Sequence, residues 1–251
     1  MKRSAIITIT LLAALILAGI PLLKQPYSEY REYKLKSGFG KISYSQRGED
    51  LVIRGIFEDL GIKSPVYVDI GAWDPVRDSN TFLFYQNGSR GLLVEPNPFY
   101  AELLKSVRKE DQVVPFAIGK ENIDDVNYYV IDDGKSGWNT FSDSQAGLHR
   151  NNGHKVEIHK TRQITINNLL DTYLLKAPDL LSIDAEGLDL LILQTLDWKK
   201  YRPAVICVET VIINSRTENE TINEFLKKKD YSLRGATFIN SIFVDNRLLR
   251  R

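Results

Sequence analysis

The sequence predicts an α/β fold: a doubly wound, mostly parallel sheet with helices on both faces, preceded by an N-terminal transmembrane helix. Three observations predict it. Short, continuously apolar runs at 66–70, 91–94, 180–183 and 204–208 read as strands covered on both sides, since a half-exposed strand alternates instead. Segments with apolar residues at helical spacing lie between them, at 51–60, 98–107, 188–196 and 221–229. An uncharged stretch of 19 residues, 5–23, follows Lys2 and Arg3. Together the strand–helix alternation and the apolar strands make the sheet Rossmann-like.

The uncharged stretch approaches the roughly 20 residues a helix needs to cross a bilayer. A cleaved signal is the rival reading, but the run is long for one, and Leu17-Ala18-Gly19-Ile20 offers no small-x-small cleavage site. Residues 1–25 are therefore expected to be a membrane anchor or signal, 26–44 a juxtamembrane linker and 45–251 the folded domain. Lys24, Arg31, Lys34, Lys36 and Lys41 outnumber the two basic residues ahead of the run, which favours a single-pass anchor with a cytoplasmic body.

Within the domain, 51–60 is an amphipathic helix stopped by Gly61. Then come a strand at 66–70, a helical piece at 82–85, a strand at 91–94, a helix at 98–107 and a third strand at 112–118. Residues 128–131 are extended. The polar, glycine-bearing stretch 132–160 has no clear period and is expected as a long loop or lid, with Trp138-Asn139-Thr140 on the acceptor side. Segment 164–173 is a strand end and a short helix with Asn167 and Asn168 near its start. A strand at 180–183, a helix at 188–196, a strand at 204–208, a helix at 221–229 and a strand at 241–245 complete the order.

Composition excludes some functions. Lys plus Arg is 33 against 32 Asp plus Glu, with no basic stripe, so no nucleic-acid partner is expected. The one cysteine, Cys207, cannot form an internal disulfide, and no Cys/His spacing suggests a metal. His149, His154 and His159 match no metal motif and read as surface residues, one of them alternatively a base over the substrate. Asn87-Gly88-Ser89 and Asn219-Glu220-Thr221 are glycosylation sequons that matter only in a lumenal body.

Ligands of an open parallel sheet bind beyond the carboxyl ends of its strands. The first strand delivers Asp69 and Gly71 there, and the second delivers Glu95, 26 residues after Asp69. An acid at that place can accept both hydroxyls of a ribose. The alternative is that Asp69 caps a helix and Glu95 is a solvated turn residue. NAD is disfavoured: its diphosphate needs a glycine-rich turn, and here Gly71 is followed by Trp73-Asp74-Pro75. The cationic, phosphate-free S-adenosylmethionine suits acidic residues better.

The chain resembles the FkbM family of methyltransferases. The resemblance rests on Ser45-Gln46-Arg47-Gly48-Glu49-Asp50, Val68-Asp69-Ile70-Gly71-Ala72-Trp73-Asp74-Pro75, Ser79-Asn80-Thr81, Glu95-Pro96-Asn97-Pro98, Leu181-Ser182-Ile183-Asp184-Ala185-Glu186-Gly187 and residues 203–209, in that order. It implies S-adenosylmethionine as methyl donor and usually O-methylation of sugar or natural-product hydroxyls. It implies that Asp69, Gly71 and Ala72 bind the donor and that Glu95 holds the ribose, with Phe116 and Ala117 placed to flank the adenine. Asp184, Glu186 and Glu209 are the candidate catalytic acids, one of them a base for the substrate hydroxyl. A divalent oxygen-ligand site among them is an open alternative. Two features depart from the family: Trp73 stands where a second glycine is usual, and the N-terminal apolar segment lies outside the common core. The tether suggests a carbohydrate or lipid-linked glycan acceptor. An inactive membrane-anchored binding module and a nucleotide-sugar-binding enzyme are the rival functions.

Overall fold

The computed structural model describes residues 41–134, 138–185, 187–212, 217–218 and 220–250. The chain divides into two units, Met1–Ile42 and Ser43–Arg251. The expected transmembrane segment and most of the linker lie outside the described residues; among the described residues no helix is long and apolar enough to cross a membrane.

In the second unit the elements run α1 (Glu49–Leu60), β1 (Tyr67–Ile70), α2 (Phe82–Gln86), β2 (Gly91–Val94), α3 (Pro98–Val107), β3 (Gln112–Val114), β4 (Ala117–Ile118), β5 (Ile123–Ile131), α4 (Asp143–Asn151), β6 (Val156–Ile164), α5 (Ile166–Tyr173), β7 (Leu180–Ile183), α6 (Asp189–Thr195), β8 (Val205–Glu209), β9 (Val211–Ile212), β10 (Thr217–Glu218), α7 (Glu220–Lys228), β11 (Tyr231–Ala236), β12 (Asn240–Asp245) and α8 (Asn246–Leu249). Seven strands form the main sheet in the order β11-β12-β8-β7-β1-β2-β3. All its pairings from β8 to β3 are parallel, and β12 is antiparallel to both neighbours. This is the Rossmann-like, mostly parallel sheet.

Side chains alternate across each strand. Val68 and Ile70 pack with α5, α6 and α7 through Leu169, Ile192 and Leu226. Tyr67, one residue before Val68, packs on the other face with α1, α2 and α3 through Phe57, Phe84 and Leu104. Both faces are dry, so the strands read as unbroken apolar runs.

Two expectations need correction. Segment 112–118 is not one strand: β3 joins the main sheet, and β4 joins a separate sheet ordered β4-β6-β5. Pro115 separates them, and a proline cannot donate to a ladder. Segment 132–160 is not a loop throughout. It holds α4, capped by the Ser142 hydroxyl accepting from Gln145 N, and residues 156–160 of β6, which pairs antiparallel with β5. Strand β6 is exposed or half-buried up to its last residue, so it is stabilised by cross-strand pairing and carries no apolar period to announce it. Helix α5 is capped by Thr165, whose hydroxyl accepts from Asn168 N at 3.2 Å, and Asn167 turns away to Thr195 O.

The chain leaves β1 outward through β2 and β3, then returns to the other side of β1 as β7 and β8. The order reverses at β1, and that switch point opens a crevice beyond the carboxyl ends of the strands.

Candidate active site

A cavity of about 620 Å³ occupies this crevice, within the roughly 300–1,000 Å³ of small-molecule sites. Gly71 and Ala72 enter it from the end of β1, Glu95 from β2, Phe116 and Ala117 from the β3–β4 junction, and Asp184 from the end of β7. Its rim carries Gln46, Asn139, Thr140, Ser142 and Gln145. Asp78, Glu95 and Asp184 are its charged lining residues; among the described residues no Lys, Arg or His lines it.

Glu95 is buried, one residue beyond β2. Its Oε1 accepts from Asn97 N at 2.7 Å and its Oε2 from Trp73 N at 2.9 Å. Trp73 delivers that N–H from a left-handed backbone (φ 45°), its indole held between the Arg77 guanidinium and Tyr100. The bond to Glu95 comes from the backbone at this position, and the indole packs apart from it. Each carboxylate oxygen keeps a second lone pair, enough for the two hydroxyls of a ribose. Burial pushes the Glu95 carboxyl up to about 7, the two backbone donors oppose this, and Asp69 adds to it.

Gly71 is required by a close approach rather than by the turn alone. Its φ is 82°, and a Cβ there would lie 1.9 Å from the Asp184 carbonyl oxygen. Its N–H and that of Ala72 both donate to Val94 O, at 3.0 and 3.1 Å. The three strand ends therefore crowd at one point, and Asp184 N donates to Ile70 O at 2.9 Å. The Asp184 side chain is exposed on the cavity. Desolvation by the surrounding protein raises its carboxyl to about 7, and Glu209, Asp189, Asp69 and Glu95 push the same way.

Residues 69–233 match the Methyltransferase FkbM domain. The chain belongs to the FkbM methyltransferase family, and S-adenosylmethionine is its methyl donor. Among solved structures it is similar to a TehB-like SAM-dependent methyltransferase from Corynebacterium glutamicum (11% identity, 90% of this chain and 99% of that one, TM-score 0.42). It is similar also to an O-methyltransferase from Bacillus cereus in complex with SAH (12%, 86% and 88%, TM-score 0.43). A third is the O-methyltransferase TomG from Streptomyces achromogenes in complex with SAM (12%, 87% and 88%, TM-score 0.42). No curated protein matches the chain.

The donor's sulfonium and amino group are cationic, and the acidic lining without cations fits them. Five of the six expected donor residues of this FkbM domain line the cavity: Gly71, Ala72, Glu95, Phe116 and Ala117. Asp69 does not. In register it faces the opposite side of β1 from Ile70, and its side chain is buried among polar groups. There Asp69 Oδ2 accepts from Thr81 Oγ1 at 2.7 Å. Thr81 also accepts from Arg108 Nη2 at 3.3 Å. Arg108 donates in turn to Tyr67 OH at 2.9 Å and through Nε to Asp111 at 2.8 Å, and is 1% exposed. The family segment Ser79-Asn80-Thr81 serves this region: Thr81 holds Asp69, and Asn80 donates to Ser182 Oγ at 3.2 Å.

Of the expected catalytic acids, Asp184 lines the cavity. Glu209 ends β8, opposite Asn240 of β12, and does not line it, although its charge acts on Asp184. Glu186 lies outside the described residues, as do 135–137 of the expected lid and Asn219 of the second sequon. Asp189 caps the turn after β7, accepting from Ala185 N at 3.0 Å and Gly187 N at 3.2 Å. The histidines stay off the cavity: His154 bonds Asp132, His149 stacks on Trp138, and His159 lies 3.6 Å from Glu157. Among the described residues no group of three or more His, Cys, Asp or Glu is placed to hold a metal.

Sequence reasoning missed Arg108, which at the end of a helix reads as a solvated charge favoured by the dipole. It missed Phe141 and Gln145 in the cavity wall, because they come from the segment that lacks a period, and Tyr128, which it read only as part of an extended piece.

Proposed function

We propose that this FkbM methyltransferase methylates a hydroxyl of an uncharged carbohydrate or glycan-type acceptor, with Asp184 as the base. The observation that carries the reading is the cavity lining: three acids, a rim of neutral amides and hydroxyls, and no cation among the described residues. Such a rim suits a polyhydroxyl ligand. It offers no cation to a phosphate, which tells against NAD and against a nucleotide sugar.

S-adenosylmethionine supplies, when bound, a methyl activated by a positive sulfonium. Glu95 would accept from the ribose hydroxyls, and Phe116 and Ala117 would wall the adenine. Asp184 would accept the proton of the acceptor hydroxyl, a weak nucleophile until that proton is removed. Residues 5–23 would tether the enzyme beside a membrane-linked acceptor, with the domain on the cytoplasmic side.

The test is incubation of the purified chain with methyl-labelled donor and an extract of its own cells. The label is expected in a product that passes through an anion exchanger. Label held on the exchanger, or none transferred, overturns the reading. In calorimetry with S-adenosylhomocysteine, Glu95→Ala is expected to weaken binding by about 100-fold, roughly two hydrogen bonds to a charged group. Binding by the wild type is expected to tighten as pH rises through about 7, where Glu95 becomes ionised.

A further inference from the structure

The motif Ser45-Gln46-Arg47-Gly48-Glu49-Asp50 has no part in donor binding or proton transfer, yet it is among the most heavily bonded segments of the fold. Asp50 is fully buried and accepts from Ser43 Oγ at 2.6 Å, Tyr44 N at 2.7 Å and Ser45 Oγ at 2.9 Å. Ser45 Oγ accepts in turn from Gly48 N and Asp50 N, both at 3.2 Å. Glu49, also fully buried, accepts from Arg47 N at 2.8 Å, Thr237 Oγ1 at 2.6 Å and Asn240 Nδ2 at 3.1 Å. Those hydrogen bonds hold the Glu49 carboxyl below its ordinary range against the opposing effect of burial. Two buried carboxylates are costly unless such bonds satisfy them. Here they clamp both sides of one short loop: Glu49 ties it to the β11–β12 turn, and Tyr44 O accepts from Ser79 N at 3.0 Å.

The residue at the apex of that loop is Gln46. It is exposed, it lines the cavity, and among the described residues its amide makes no hydrogen bond. A primary amide offers two donors and an acceptor, as a sugar's vicinal hydroxyls require. We propose that Gln46 orients the acceptor by hydrogen bonding it at the cavity rim, and that Glu49 and Asp50 are positioning residues that hold Gln46 there. The proposal rests on the methyltransferase reading above and adds to it the residue that selects the acceptor's pose.

The test uses the same labelled donor and cell extract, now as a dilution series, with calorimetry on S-adenosylhomocysteine beside it. Gln46→Ala is expected to need at least about five-fold more extract for half-maximal labelling, the loss of one hydrogen bond. Its donor-site affinity and melting temperature should match the wild type. Glu49→Gln is expected to shift the dilution curve in the same direction although its side chain never meets the cavity, and Arg47→Ala should behave as wild type. A Gln46→Ala curve superimposed on the wild type overturns the proposal. So does a shift matched by an equal loss of S-adenosylhomocysteine affinity, or an equal shift in Arg47→Ala. Should Glu49→Gln not fold, Gln46→Ala, at an exposed position, decides alone. A wild type that binds S-adenosylhomocysteine but labels no extract overturns the methyltransferase reading first, and this proposal with it.

Discussion

Asp184→Asn is expected to lower kcat by about 10²- to 10⁴-fold, the usual contribution of a general base, with binding of S-adenosylhomocysteine changed little. Asp184 lines the cavity just beyond β7, its backbone carbonyl against Gly71, and in the proposed reaction the acceptor hydroxyl binds beside it. Desolvation, then Glu209 and Asp189, then Asp69 and Glu95 raise its carboxyl to about 7. A base with that affinity takes a hydroxyl proton more readily than an ordinary carboxylate, and about half of it is ionised at neutral pH. The wild-type rate should therefore rise with pH through about 7, as the carboxyl loses its proton, and level off above. Asparagine has no proton to lose there, so with saturating donor the residual rate of Asp184→Asn should be flat across the same window. Stability should run the other way. A carboxyl whose folded pKa is raised binds more protons folded than unfolded between the ordinary carboxylate range and about 7, so the folded state loses stability as pH rises through that window. Asp184→Asn removes that penalty and should melt higher than the wild type at pH 8. A kcat within five-fold of the wild type would assign the base elsewhere.

Arg108→Met is expected to cost about 3–5 kcal/mol of folding stability, the usual loss when one partner of a buried ion pair is removed. The guanidinium is 1% exposed, with Asp111 at 2.6 Å. It also reaches Asp69 through Thr81, and its charge opposes the burial that otherwise raises the Asp69 carboxyl. Without it, carboxylates remain in the interior with no cation near them. Methionine keeps most of the volume, so the loss reads charge rather than a cavity. Asp69 should then stay protonated to higher pH in the folded chain, which makes the loss grow as pH rises. Urea unfolding at pH 5.5 and pH 8 measures both. A loss below about 1 kcal/mol at both pH values would mean that the buried acids are satisfied by their hydroxyl partners alone.

The donor side of the site was legible because its determinants are local. Glu95 follows an apolar strand directly, and one βαβ crossover separates it from Gly71, so strand ends and spacing place them side by side. Asp69 shows where that reasoning stops. It shares the strand end with Gly71, but which face its side chain takes depends on register within a sheet whose two faces are equally dry, and a continuously apolar strand has no alternation to reveal it. The polar strand β6 and helix α4 had no period to show, and Pro115 divided a run that apolarity alone would have joined.

By itself the sequence determined the alternation of strands and helices, the acids and glycine at the strand tips, and membership of the FkbM family, because these depend on apolar period and on short-range order along the chain. Only the tertiary structure decided that Asp69 pairs with Thr81 above a buried Arg108, that Asp184 faces the cavity while Glu209 does not, and that the loop of Gln46 is clamped by Thr237 and Asn240. Those contacts join residues up to 191 positions apart. A polar side chain's partner across such a distance is set by packing, which leaves no periodic trace in the residues themselves.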